Sequence, residues 1–194
     1  MSRRFSAFIG PVSPDMHARM NGRSWHDSPG CPEPAELALL RLDHWDFRGQ
    51  VRQGQLVVAR AVAREVVFVF KRIFEARFPI AQMVPIHVFG GDDNASMDAN
   101  NSSAFNFRTI AGTDELSQHA FGLAIDINPV QNPWVRKKKV LPPAGREFLE
   151  RDPAVPGVIV RPGPVTDAFD EVGWQWGGDW PGVKDYHHFQ KHPR

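Results

Sequence analysis

The order of apolar and polar positions divides the chain into short segments of different period. LALLRLDHWDF (37–47) and QLVVAR (55–60) are apolar runs on either side of the glycine-containing stretch RGQVRQG, which predicts a β-hairpin with a long loop. In VAREVVFVFKRIFEARF (62–78), Val62, Val66, Val69, Phe70, Ile73 and Phe74 recur at helical spacing. Arg64, Glu65, Lys71, Arg72 and Glu75 fall mostly opposite, so the segment reads as an amphipathic helix that Pro79 ends. MVPIHVFG (83–90) reads as a strand, and AFNFRTI (104–110) alternates like a half-buried one. AFGLAIDIN (120–128) is apolar and of strand length. The polar stretch 90–103 has room for one helical turn, and short helices are expected near 145–151 and 165–174. QWGGDWPGVKDYHHFQ (175–190) is aromatic and glycine-rich and is expected to end in a short strand. Residues 1–36, rich in Pro, Gly and Ser, read as an arm with little regular structure, leaving 37–194 as the folded domain. Strands and helices mix without regular βα alternation. The expected class is therefore α+β, a small antiparallel sheet flanked by helices.

Composition narrows the function classes. The chain has 194 residues, enough for one domain with an appended arm. Lys plus Arg is 23 against 22 for Asp plus Glu, a balance that argues against nucleic acid as the main partner. No apolar run approaches the length of a membrane-spanning helix. Two arginines precede FSAFIG, but Pro11 breaks this run too early for a signal-peptide core, so no export signal is recognised. Cys31 is the single cysteine, which excludes an intrachain disulfide and a cysteine-rich zinc site. The chain is expected to act as a monomer.

The candidate chemistry lies in two places. SQHAFGLAID (117–126) sets His119 and Asp126 seven residues apart, with Gly122 to permit a bend and small Ala124 to leave room. Alone, such a pair is more often a surface turn with a satisfied polar pair. A catalytic zinc needs three protein ligands and one open position. DYHHF (185–189) offers a carboxylate and two histidines, or else a solvated polar tail. On a regular strand His187 and His188 point to opposite faces, so only one can be a ligand. An ideal strand would also put Asp185 and His188 on opposite faces, so a turn or bulge must lie between them for both to serve one site. Asp92, Asp93, Asn94 and Asp98 lack EF-hand spacing and read as a solvated loop. Arg136–Lys139 form a basic run, a solvated face or a contact for anionic wall polymer.

Ser117, His119, Gly122, Ala124 and Asp126, followed by WGGDW and by Asp185-x-x-His188-Phe189, resemble the zinc D-Ala-D-Ala carboxypeptidases and L-alanyl-D-glutamate endopeptidases of bacterial cell walls. DINPVQNPW (126–134) and ASMDANNSSAFNFR (95–108) resemble them too, and the likeness runs over roughly 31–190. It implies a hedgehog/DD-peptidase-like fold and one Zn²⁺ per chain on His119, Asp126 and His188. It further implies Asp185 as general base, Arg108 as the group that stabilises the oxyanion, and peptidoglycan stem peptides as substrate. Read from its own surroundings, Arg108 ends an alternating strand, and an exposed strand arginine is the alternative. Ser117, Trp176 and Tyr186 are the expected substrate contacts, with Trp174 and Trp180 as further candidates for the cleft wall. Core positions for one or two of these aromatics remain an alternative. The resemblance places such a protein outside the cytoplasm or at the wall. Members often carry a cysteine where this chain has Phe107, paired with one at the position of Cys31, and that pair is missing here. Because the hedgehog zinc domains resemble the same fold, the rival reading is a zinc-binding module that recognises wall peptides or a protein partner without cleaving them.

Overall fold

The computed structural model describes residues 4–192. The chain opens with strand β1 (Ala7–Pro11) and helix α1 (Pro14–Met20), then runs through β2 (Leu37–Trp45), β3 (Val51–Ala59) and α2 (Ala63–Glu75). Next come β4 (Gln82–Met83), α3 (Asp93–Asp98), β5 (Asn101–Ser102), β6 (Ala124–Asp126), β7 (Trp134–Arg136) and β8 (Lys139–Leu141). The last elements are α4 (Pro164–Asp170), β9 (Gln175–Trp176), β10 (Lys184–Asp185) and β11 (His188–Gln190). The architecture is α+β. Three small antiparallel sheets, ordered β1-β2-β3, β10-β7-β8 and β6-β11-β9, accompany a short parallel pair, β4-β5.

The expected hairpin and helix form the frame. β2 and β3 pair antiparallel from Leu37↔Ala59 to Trp45↔Val51, with a tighter turn than expected. Helix α2 lays Val66, Val69, Phe70, Ile73 and Phe74 against Leu40, Leu42, Leu56 and Val58 of this sheet, and α4 adds Val165, Ala168 and Phe169. Each of these large side chains contributes about 1.5–3 kcal/mol by leaving water, before conformational entropy is subtracted. Ile125 and Ile127 around β6, Phe189 of β11 and Trp176 of β9 belong to the same core, so the sheet β6-β11-β9 is bolted to the frame.

Several expectations are corrected. The arm is largely structured: β1 pairs with β2 from Ala7↔Leu42 to Pro11↔Ala38, and Ser13 caps α1 by accepting from Met16 N at 3.2 Å. Val12, Met16, Met20 and Trp25 build a second core with Leu37, Leu39, Val57 and Phe105. Their apolar residues are too scattered to show a period, yet they cover the far side of β2 and β3. The expected strand 83–90 stops at Met83, because Pro85 cannot donate to a ladder and leads into a 3₁₀ turn, Ile86–Phe89. Residues 104–110 form no strand of a sheet. Their amides bond in turn to different elements, Phe105 N to Val57 O, Asn106 N to His119 O and Phe107 N to Ser24 O. The run 120–128 is a strand only over Ala124–Asp126. The helix expected near 145–151 is a 3₁₀ turn at Pro143–Phe148, and the one at 165–174 ends at Asp170.

Candidate metal centre

His119 is delivered by a 3₁₀ turn, Gln118–Phe121, that Ser117 caps by accepting from His119 N at 3.3 Å. The turn ends at Gly122, whose φ of 68° lies in the left-handed region. A Cβ there would meet Ala59 N at 2.4 Å, so only glycine lets the turn lie against β3, where Ala59 N donates to Gly122 O. The chain then enters β6, which carries Asp126. His188 on β11 stands directly across from Asp126 in the antiparallel register.

The three side chains converge. One donor atom from each of His119, Asp126 and His188 lies within 4.8 Å of the others. His119 Nε2 is 3.2 Å from Asp126 Oδ2 and 3.2 Å from His188 Nδ1, and His188 Nδ1 is 3.0 Å from Asp126 Oδ1. Tetrahedral bonds of about 2.0–2.1 Å to zinc would hold ligand atoms about 3.3 Å apart, close to these separations. The partners behind the rings fix which nitrogen is free. His119 Nδ1 donates to Ala104 O at 2.5 Å, leaving the Nε2 lone pair facing the centre. His188 Nε2 donates to Gln190 Oε1 at 3.0 Å, leaving the Nδ1 lone pair facing the same point. Two imidazole lone pairs and a carboxylate aimed at one place, all buried, are a donor set suited to zinc.

Electrostatics agree with that grouping. Burial alone would raise the Asp126 carboxyl, but the His119 and His187 imidazoles outweigh it and hold the group well below the usual carboxylate range. Burial would lower His188, but the hydrogen bond and charge of Asp126 push it up instead. His187 follows the same pattern: burial opposes its charge, yet Asp185 and Asp126 push it up to about 9.

The required break between Asp185 and His188 is present. β10 ends at Asp185 and pairs with β7, a turn occupies Tyr186 and His187, and β11 begins at His188 in a different sheet. Asp185 is therefore brought beside the centre from the sheet β10-β7-β8. Its Oδ1 is buried without an aligned hydrogen bond among the described residues, 3.0 Å from His187 Nε2. Gly177 of the WGGDW stretch makes room, since a Cβ there would sit 2.6 Å from Asp185 O.

Other expected contacts land differently. Ser117 is buried and its hydroxyl is engaged in capping, so it positions His119 and offers no open contact to a substrate. Trp176 is a core residue whose Nε1 donates to Tyr186 O at 2.9 Å, and Trp174 is core as well. Tyr186 is half-buried, with the Arg151 guanidinium over its ring at 4.3 Å. Trp180 is the aromatic beside the centre, its ring 5.3 Å from that of His188. Arg108 pairs with Asp93 at the start of α3, and its carbonyl accepts from Ser117 N, two residues before His119. Cys31 is a free thiol that packs with Phe107 against the second core. Sequence reasoning missed Gln190, Ala104 and Asn132. Gln190 was accessible, because i and i+2 share a face on a strand. The carbonyls of Ala104 and Asn132 leave no mark in a sequence.

Two histidines and an aspartate around one point form a candidate metal site in an α+β domain. Residues 111–191, which contain all three candidate ligands and Asp185, match the model of a D-alanyl-D-alanine carboxypeptidase family. That family implies the hedgehog/DD-peptidase fold. The curated proteins and the solved structures give no significant match to the chain.

Proposed function

We propose that the protein is a zinc-dependent peptidase that cleaves peptidoglycan stem peptides, with D-alanyl-D-alanine carboxypeptidase as the first specificity to test and L-alanyl-D-glutamate endopeptidase as the second. The observation that carries this reading is the pair of fixed tautomers: Ala104 O and Gln190 Oε1 leave two imidazole lone pairs and Asp126 aimed at one point. One zinc held there would lower the pKa of a bound water and polarise the scissile carbonyl. Asp185, with a buried oxygen that receives no aligned hydrogen bond, takes the proton of the attacking water and returns it to the leaving amine. Arg108 offsets the charge that grows on the carbonyl oxygen, once substrate draws it from Asp93. Trp180 walls the cleft beside His188. Such a substrate places the enzyme outside the cytoplasm.

The test is incubation of the zinc-loaded protein with defined muropeptides, read by mass spectrometry. Release of the terminal D-alanine supports carboxypeptidase activity, and scission after L-alanine supports the endopeptidase. A zinc-replete protein that cleaves neither refutes the proposal and returns the chain to the non-hydrolytic module.

A further inference from the structure

The sheet β10-β7-β8 does more than deliver Asp185. Its register pairs Asp185 with Trp134, Trp134 with Leu141 and Arg136 with Lys139. Residues paired across neighbouring strands share a face, and so do residues two apart on one strand. Asp185, Trp134, Arg136 and Lys139 therefore lie on one face. The side chains agree with that register, since the Lys139 ammonium stands over the Trp134 ring, 5.8 Å from its centre. The other face is the inward one, where Val140 is buried.

The hairpin that joins β7 to β8 closes the sheet with a block of positive charge. Arg136, Lys137, Lys138 and Lys139 are consecutive and all exposed. Their tip is fixed. Lys137 has a φ of 55°, the left-handed backbone that a two-residue hairpin loop requires, and Arg146 Nη2 donates to Lys138 O at 3.3 Å. Among the described residues, neither the four cations of the run nor Arg146 forms an ion pair, and Glu147 and Glu150, which follow them in the chain, offer none. The whole chain carries a net charge of +1, so this concentration of charge is local. Cations held this close repel one another, and an anion set between them relieves the repulsion.

The distance from the centre selects which anion. From the Trp134–Asp185 pair to Arg136 the strand advances two residues, about 7 Å. An extended peptide covers that span in about two residues. A chain with its scissile bond at the centre can thus run past Trp134 and bring a group two or three residues away to Arg136 and Lys139.

We propose that the β7–β8 hairpin is a carboxylate subsite of the substrate cleft: Arg136 and Lys139 bind a free carboxylate two or three residues from the cleaved bond, and Trp134 packs against the chain between that carboxylate and the centre. This rests on the reading of the protein as a peptidase of wall stem peptides. The preference lies in binding, because neither cation touches the reacting atoms.

The test compares two stem pentapeptides ending in D-Ala-D-Ala that differ in one group, a free α-carboxylate or its amide on the glutamate. In the zinc-loaded, full-length protein, KM is expected to be about 3- to 10-fold lower for the free carboxylate, the scale of one or two exposed ion pairs. Added salt should shrink the difference. Arg136→Gln/Lys139→Gln is expected to lose the preference. Arg64→Gln/Lys71→Gln, which removes the same charge from exposed positions of α2, is expected to keep it. Equal KM for the two peptides in the wild type overturns the proposal. So does a preference that survives Arg136→Gln/Lys139→Gln, or one that Arg64→Gln/Lys71→Gln abolishes equally. Where the wild type cleaves neither peptide, equilibrium binding of the same pair, followed by tryptophan fluorescence, replaces KM. Tighter binding of the free carboxylate that vanishes in Arg136→Gln/Lys139→Gln then sinks the peptidase reading and keeps the subsite, and equal binding sinks both.

Discussion

At the scale of single residues, the question is what Asp185 does. A carboxylate in its position can act as base, support a ligand histidine, or merely add charge. It does not touch His119 or His188 by any hydrogen bond among the described residues, and its near partner is His187. Asp185→Asn keeps shape and removes basicity. The variant is expected to hold zinc normally and to lose activity by roughly 10²- to 10⁴-fold, the range for general acid–base catalysis. A supporting role would instead weaken zinc binding about 10- to 100-fold, with activity returning at high zinc. Zinc content and rate, measured side by side, separate the two. Normal zinc with normal rate removes Asp185 from the mechanism.

At the scale of elements, the centre depends on two strands of different sheets meeting around a turn, and glycines set how closely they meet. Gly177 faces the backbone of β10. A Cβ there would lie 2.6 Å from Asp185 O and 2.8 Å from Asp185 Cβ, so Gly177→Ala must push β10 away. The expected cost is about 1–3 kcal/mol of stability, as for other overpacked sites. The more telling readout is kcat, which should fall while zinc content stays, because the 3₁₀ turn of His119, β6 and β11 carry the candidate ligands and β10 carries none. Unchanged kcat in a correctly folded variant would show that the distance between the two sheets is not critical. The same arrangement explains what a sequence can show. The period of α2 and of the β2–β3 hairpin was legible, because each buries one face against one neighbour. The candidate metal group was legible through SQHAFGLAID and DYHHF, whose side chains the fold brings together. The segment 104–110 was not legible, because its hydrogen bonds go to three elements in succession and no alternation records that. Nor was the arm, where Met16, Met20 and Trp25 act together only once β2 exists to receive them. Trp176 and Trp180 show the same limit: four residues apart in one glycine-rich stretch, they read alike, and only packing sends one to the core and the other to a half-buried position beside His188.

At the scale of the whole molecule, the metal and the buried histidines tie stability to conditions. The ligands come from a 3₁₀ turn and from two strands anchored in the main core, so an ion bound only by the folded chain stabilises all of it. At a hundred times Kd the gain is about 2.7 kcal/mol. At about 2–4 °C per kcal/mol for a domain of this size, Tm should rise by about 5–11 °C on adding zinc to the chelated protein. Asp185→Asn should show the same rise, and His188→Ala should lose it. An equal rise in His188→Ala would mean that the ion binds elsewhere.

Acid should act through other groups. His44 on β2 and His87 in the 3₁₀ turn are both buried, with an Nδ1 that finds no hydrogen-bond partner among the described residues. Burial pushes both below the ordinary imidazole value. For His44 the Leu42 backbone, Asp46 and Asp43 oppose this without reversing it, and for His87 Arg19 and Arg23 add to it. The unfolded chain takes up protons on them at about pH 6.5, while the folded chain does so only at lower pH. Between those points the unfolded state binds more protons, so stability falls as pH falls, and above about 6.5 the effect vanishes. His187 has the opposite sign: pushed up to about 9, its contribution is complete below the unfolded value near 6.5 and is lost only as pH rises through 9, so it adds nothing to the acid loss. In the chelated protein the urea midpoint should therefore drop from pH 7 to pH 5, and His44→Leu should make that drop shallower, since a group that cannot titrate cannot contribute to the slope. The comparison is between slopes, so any change in overall stability caused by the larger apolar side chain cancels. Parallel pH curves for the wild type and His44→Leu would show that His44 takes up its proton equally in both states, and that the acid sensitivity of this fold lies elsewhere.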